Sequence, residues 1–132
     1  STKGVLRGLH YQLPPYSQAK LVRVIEGSVL DVAVDIRKSS PTFGQHVSVI
    51  LTAQNKQQLF VPHGFAHGFI VLSDSATFAY KVDNYYAPEH DRGIAFDDEQ
   101  LKIDWQLSAE EIQLSEKDSI HPSLANAKYL FE

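Results

Sequence analysis

Two imidazoles and one ammonium are the side chains of this sequence best placed to do chemistry. His10 precedes Gln12 by two positions, Lys20 follows, and His67 closes the stretch Pro62-His63-Gly64-Phe65-Ala66-His67, with Gly68 next. Residues i and i+2 share one face of a strand, so a His at both positions would reach a common ion. Here the second position is Gln12, and the next charged side chain is Lys20, which repels a cation. One or two His without a carboxylate make a poor site for iron, manganese or zinc. The pattern points to proton chemistry without a metal.

A lone His in a strand is ordinarily a satisfied structural residue. Around His10, however, Arg7 and Gln12 put polar groups on a segment that otherwise reads as interior strand. The ordinary imidazole pKa of about 6.5 also suits proton abstraction near neutrality. Lys20 sits between Pro14-Pro15 and the apolar Leu21-Val22. It is either a solvated strand end or, turned inward beside His10, a fixed charge able to hold an enolate. The Pro-x-Gly-x-x-His pattern ending at His67 is hard to explain by packing alone, whereas His63 belongs to its turn. Tyr80 shares a strand face with Phe78 and reads first as an aromatic core residue; across a pocket its hydroxyl could donate a proton. Tyr85 and Tyr86 read as packing or rim residues. Asp118 matters if it reaches His10, because a carboxylate on one imidazole nitrogen fixes the tautomer and raises the base's pKa. No Gly-x-Ser-x-Gly elbow and no phosphate-cradling glycine loop occur, and Asp97-Asp98-Glu99 reads as a surface turn.

The elements that must position these groups are short strands. Leu21–Ile36 is rich in β-branched residues, with Leu30, Val32, Val34 and Ile36 on one face, Asp31, Ala33 and Asp35 on the other, and a turn at Gly27-Ser28. Further strands are expected over 46–51, 57–61, 64–72, 76–83 and 93–96, separated by turn chemistry such as Ser39-Ser40-Pro41 and Ser73-Asp74-Ser75. That spacing predicts an all-β sandwich or barrel. Only Ser108–Ile112 reads as a helix start, with Ser108 as N-cap and Glu110-Glu111 in the first turn. At the other end, Ser1–Gly4 runs at once into the strand carrying His10, and an uncovered edge is expected there, either in a fragment or beside a strand borrowed from a partner.

The 132 residues, 43% hydrophobic and 21% charged, make one globular domain that buries roughly two-thirds of its unfolded surface. The absence of Cys removes disulfides and thiol nucleophiles and fits a cytoplasmic protein. No apolar run approaches the ~18 residues of a membrane span. A net charge of −4 argues against nucleic acid, while Arg7, Lys20 and Arg23 leave a small anion possible.

Gly4–Gln12, Lys20–Val24, Asp31–Arg37, Pro62–Phe69 and Ser115–Asp118 together resemble the dTDP-4-dehydrorhamnose 3,5-epimerase family, in order and spacing, across essentially the whole chain. The resemblance implies a cupin-like jelly-roll barrel, or double-stranded β-helix, with short C-terminal helical segments. It implies a homodimer that uses no metal or other cofactor and inverts C3 and C5 of a dTDP-linked 4-keto-6-deoxyhexose. By position, His10 would be the base, Asp118 its partner, Lys20 the residue near the C4 oxygen and Tyr80 the acid on the opposite face. Arg7, Gln12, His67 and Lys117 would bind substrate, as would Asp91, which stands where the family usually has Glu. The resemblance also implies that residues 1–132 form a single cupin domain lacking N-terminal strands that help bind the nucleotide. Alternative readings are a mono-epimerase acting at C3 or C5 only, a non-catalytic cupin that binds a nucleotide sugar, and a metal-dependent cupin using His10, His63 and His67.

Overall fold

A computed structural model describes residues 1–127 and 131. The regular structure is nearly all strand, as the turn spacing predicts. In order these are β1 (Val5–Gln12), β2 (Lys20–Glu26), β3 (Ser28–Asp35), β4 (His46–Thr52), β5 (Gln58–Val61), β6 (Phe65–Val71), β7 (Thr77–Val82), β8 (Asp91–Gly93) and β9 (Gln113–Leu114). Two 3₁₀ turns, Pro88–His90 and Lys117–Ile120, complete the regular structure.

The strands form two sheets. One runs β4-β3-β6-β1-β8 with β9 added in parallel to the start of β1; the other runs β5-β2-β7. The long β-branched run divides at Gly27, and its halves join different sheets: β2 pairs with β5 and β7, β3 with β4 and β6. β2 and β3, consecutive in the chain, therefore face each other across the interior. Val22 and Val24 of β2 pack there on Val29, Leu51 and Val71. The other face of the large sheet carries Leu6, Leu9, Leu30, Val32, Val34 and Ile70, covered by Ile94, Leu101, Trp105 and Leu124 of the C-terminal segment. Each such aliphatic side chain contributes about 1.5–3 kcal/mol by leaving water. β3 is thus buried on both faces, and Asp31 and Asp35 are buried with it.

Three local expectations differ from the structure. The strand expected over 93–96 lies at Asp91–Gly93, because after a last exchange between Leu9 and Ile94 the chain turns away and Ala95 donates to the Pro122 carbonyl. Ser108–Ile112 makes one turn and no helix. Ser108 donates both its N–H and its hydroxyl to the Glu111 carboxylate, and the chain then extends to lay Gln113 and Leu114 along β1. Strand pairing outweighs a helix too short to be stable alone. β1 itself is no edge strand, since β6 and β8 flank it.

Candidate functional site

The pocket lies between the two sheets, a cavity of about 330 Å³. Its construction begins with an irregularity in β1. Arg7 stands opposite Phe69 of β6 and His10 opposite His67, so β1 takes three steps while β6 takes two. This is a β-bulge. In a regular strand, residues 7 and 10 would face opposite ways. With the extra residue, Leu6, Leu9 and Tyr11 enter the core while Arg7, His10 and Gln12 line the cavity. Gly8 makes the bulge possible, since its φ is +139° and a Cβ there would lie 2.7 Å from the Gly68 Cα.

His10 is bonded through Nε2 to Asp118 Oδ1 at 2.8 Å. The carboxylate is 2% exposed and comes from the second 3₁₀ turn, whose start is braced by Ser115 Oγ accepting the Asp118 N–H. Asp118 therefore holds the proton on Nε2, and Nδ1, itself buried and without a hydrogen-bond partner among the described residues, keeps its lone pair. Burial lowers the pKa of His10, and Asp118 and Asp91 oppose the shift without reversing it. Asp118 reaches His10 and pushes its basicity up as expected, but the net direction is down because desolvation of the imidazolium dominates.

On the opposite side of the cavity, Lys20 opens β2. Burial lowers its pKa, with Asp31 and Asp91 favouring the charged form. Asp31, on the interior face of β3, accepts from His67 Nε2 at 2.5 Å, while its other oxygen has no hydrogen-bond partner among the described residues. Phe78 lies parallel to His67, with ring centroids 6.4 Å apart, and Phe69 packs on Phe78. Tyr80 and Tyr86 line the same cavity and are largely exposed. At the rim Asp91 is ion-paired to Lys117. That bond raises the pKa of Lys117.

All the sequence-predicted site residues except Asp118 line the cavity, and Asp118 stands behind His10. Gln12 lines it with its amide already committed: Nε2 donates to the Tyr16 and Tyr85 carbonyls, and Oε1 accepts from Ala87 N–H. It braces two loops. His63 lies outside, bonded to Ser17 and Asp83, so the structure does not assemble His10, His63 and His67 around one point. Two residues escaped the sequence reading. Asp31 was assigned only a strand face, although an acid inside a β-branched run buried on both sides was a signal. His121 donates from Nε2 to the same Asp118 oxygen as His10, at 3.1 Å. No local pattern announces it. The three donor atoms lie within 4.8 Å of one another. Both nitrogens nevertheless point at one carboxylate oxygen, which is the geometry of hydrogen bonds and not of ligands around a shared ion.

The family model described as dTDP-4-dehydrorhamnose 3,5-epimerase matches residues 1–126. A protein of that name from Shigella flexneri is 57% identical over 129 residues, 98% of this chain and 70% of the relative. One from Escherichia coli (strain K12) is 58% identical, over 89% of this chain and 63% of the relative. Among solved structures, the dTDP-6-deoxy-D-glucose-3,5-epimerase of Legionella pneumophila Philadelphia 1, in complex with dTDP-4-keto-L-rhamnose, superposes with a TM-score of 0.93 at 56% identity. That match covers 97% of this chain and 67% of the other. The chain thus spans roughly two-thirds of the length of the proteins it matches.

Proposed function

Because this chain belongs to the dTDP-4-dehydrorhamnose 3,5-epimerase family, we propose that it converts dTDP-4-dehydro-6-deoxy-D-glucose to dTDP-4-dehydro-L-rhamnose by inverting C3 and C5. The observation that carries the reading is the His10–Asp118 pair facing a cavity whose other walls hold Lys20 and Tyr80.

The C4 ketone acidifies the protons on C3 and C5. His10 takes one, and the carbanion delocalises onto the C4 oxygen as an enolate. Asp118 accepts the hydrogen bond of the imidazolium formed, as it does in the neutral ring. The Lys20 ammonium stabilises the enolate oxygen. A preorganised donor at a developing anion is worth about 10²–10³-fold, and general acid–base help about 10²–10⁴-fold. Reprotonation from the opposite face, by the Tyr80 hydroxyl or by water, inverts the carbon. No metal or organic cofactor enters these steps. Arg7, Lys117 and His67 supply donors for the diphosphate and sugar, while Asp91 orients Lys117. Gln12 serves by holding the loops around the mouth.

The active assembly is a homodimer. On the small sheet, Leu21, Ile25 and Phe60 are 38%, 50% and 60% exposed, an apolar face suited to a second copy. That sheet's outer strands, β5 and β7, each pair on one side only among the described residues, which is where further strands of a complete cupin domain would add. Light scattering tests the dimer. On the same reading the enzyme is cytoplasmic, since a thiol-free chain acting on an activated sugar needs no oxidising compartment.

The decisive experiment follows the 4-keto sugar by NMR in D2O. Deuterium entering C3 and C5, abolished in His10→Ala, is the expected result. Exchange at C3 alone makes the protein a mono-epimerase and removes Tyr80 from its role. Binding without exchange makes it a nucleotide-sugar-binding cupin.

A further inference from the structure

Asp118 is shared. Its Oδ1 lies 2.8 Å from His10 Nε2 and 3.1 Å from His121 Nε2, and among the described residues its Oδ2 receives only a long bond of 3.4 Å from the Gly8 N–H. A carboxylate 2% exposed needs strong donors to remain an anion, and of these only two imidazoles are present among the described residues. His121 follows Asp118 by three positions across the 3₁₀ turn Lys117–Ile120, whose three-residue repeat puts both on one side. The ring is itself fixed. A Cβ on Gly93 would lie 2.3–2.4 Å from three of its atoms, so it seats directly on the backbone of β8, where Gly93 is in register with His10. The two imidazoles meet edge to face, with centroids 5.4 Å apart.

We propose that His121 is a positioning residue for the base: its neutral ring anchors the carboxylate that orients His10, and a proton on it turns the base off. The proposal rests on the reading of His10 as the base and extends it to a residue that touches no substrate. As a neutral donor, His121 holds Asp118 in place without adding charge. Once protonated, it sets a positive charge beside a ring that must itself become positive when it takes a proton from the sugar. The interaction has that sign already, since His121 acts to lower the pKa of His10 against the upward pull of Asp118. The other charged groups around the two rings are Lys117 on the same turn and Asp91 on β8. Arg7, Lys20 and His67 line the rest of the cavity.

The test compares the full chain with His121→Ala, His121→Gln and Gly93→Ala. The His10 ring is titrated by NMR without substrate, and kcat and KM are measured against pH. In His121→Ala the His10 midpoint should rise by roughly one pH unit, because an opposing charge is lost and water enters. The acid limb of the rate profile moves up with it, and kcat falls about tenfold with KM nearly unchanged, the loss of one charge-assisted hydrogen bond. His121→Gln keeps an N–H donor and similar volume; it should restore most of kcat. Gly93→Ala, which displaces the ring, should reproduce the alanine phenotype. An unmoved His10 midpoint in both His121 variants overturns the proposal, and so does equal kcat in the alanine and glutamine variants. The NMR arm needs no turnover. A moved midpoint in a chain that catalyses nothing would refute the proposed function and leave the coupling standing.

Discussion

Gly8→Ala asks whether the bulge in β1 creates the site. Two costs can be worked from the structure. Alanine at φ +139° occupies a region that L-residues avoid, worth about 1–3 kcal/mol. Its Cβ would lie 2.7 Å from the Gly68 Cα and 3.1 Å from the His67 carbonyl oxygen, where carbon contacts ordinarily fall at about 3.5–4 Å. Both are backbone atoms, so β1 and β6 must part by nearly an ångström, and overpacking of this kind costs about 1–3 kcal/mol. The sum is ~2–6 kcal/mol, which for a domain of this size lowers Tm by roughly 6–24 °C. The chemical effect is separate: a displacement of about 1 Å between base and substrate lowers kcat by ~10²-fold. Gly44→Ala is the control. Its φ is +82°, but the nearest atom to an added Cβ is Leu124 Cδ2 at 3.7 Å, an ordinary contact. It should show the backbone cost alone, about 1–2 kcal/mol, with kcat unchanged. Thermal unfolding followed by circular dichroism and the deuterium-exchange rate read both effects. If Gly8→Ala melts alongside Gly44→Ala and retains kcat within about threefold, where ~10² is expected, the bulge is not what places His10.

Asp118→Asn should lower kcat by about 10²–10⁴-fold, because the imidazolium loses its acceptor and the tautomer is no longer fixed. Asp118 raises the pKa of His10, so the residual acid limb should move to lower pH; a limb moving upward would contradict the pairing. Lys20→Met should cost about 10²–10³-fold in kcat with a smaller change in KM, and a change confined to KM would make Lys20 a binding residue only. Asp35 tests the scaffold. Burial alone would raise its pKa, but bonds from Arg37, Ser40 and Thr42 overcome this and hold the carboxyl below its usual range. A depressed carboxyl stabilises the fold above its unfolded pKa of about 3.9 and loses that contribution as pH falls. Asp35→Asn should therefore destabilise by about 2–3 kcal/mol at neutral pH, with the difference from the parent shrinking in urea titrations below about pH 4.

The all-β class, most strand positions and the candidacy of His10, Lys20 and His67 were legible in the sequence, because each depends on residue type and short spacing; Asp118 by itself read as part of a solvated turn. Alternation marks a strand, a β-branched run marks a buried one, and Pro-x-Gly-x-x-His marks a tight turn into another. The division of residues 20–35 between two sheets was not legible, since a turn at Gly27 serves a hairpin or a crossover equally well. Nor was the bulge. Strict alternation puts Arg7 and His10 on opposite faces, and only the close approach of Gly8 to Gly68 on a neighbouring strand brings them together. The helix expected after Ser108 failed for the same reason, since pairing with β1 lies more than a hundred residues away in sequence. His121 shows the limit most clearly. Its neighbours in the chain say nothing of its role, which follows from a glycine on β8 and a carboxylate on a 3₁₀ turn that meet at His10. The sequence by itself determined which chemical groups are available and which segments extend. The tertiary structure decided which groups share a face, which carboxylate serves which imidazole and how much water each one loses, because these depend on contacts between strands that no local spacing encodes.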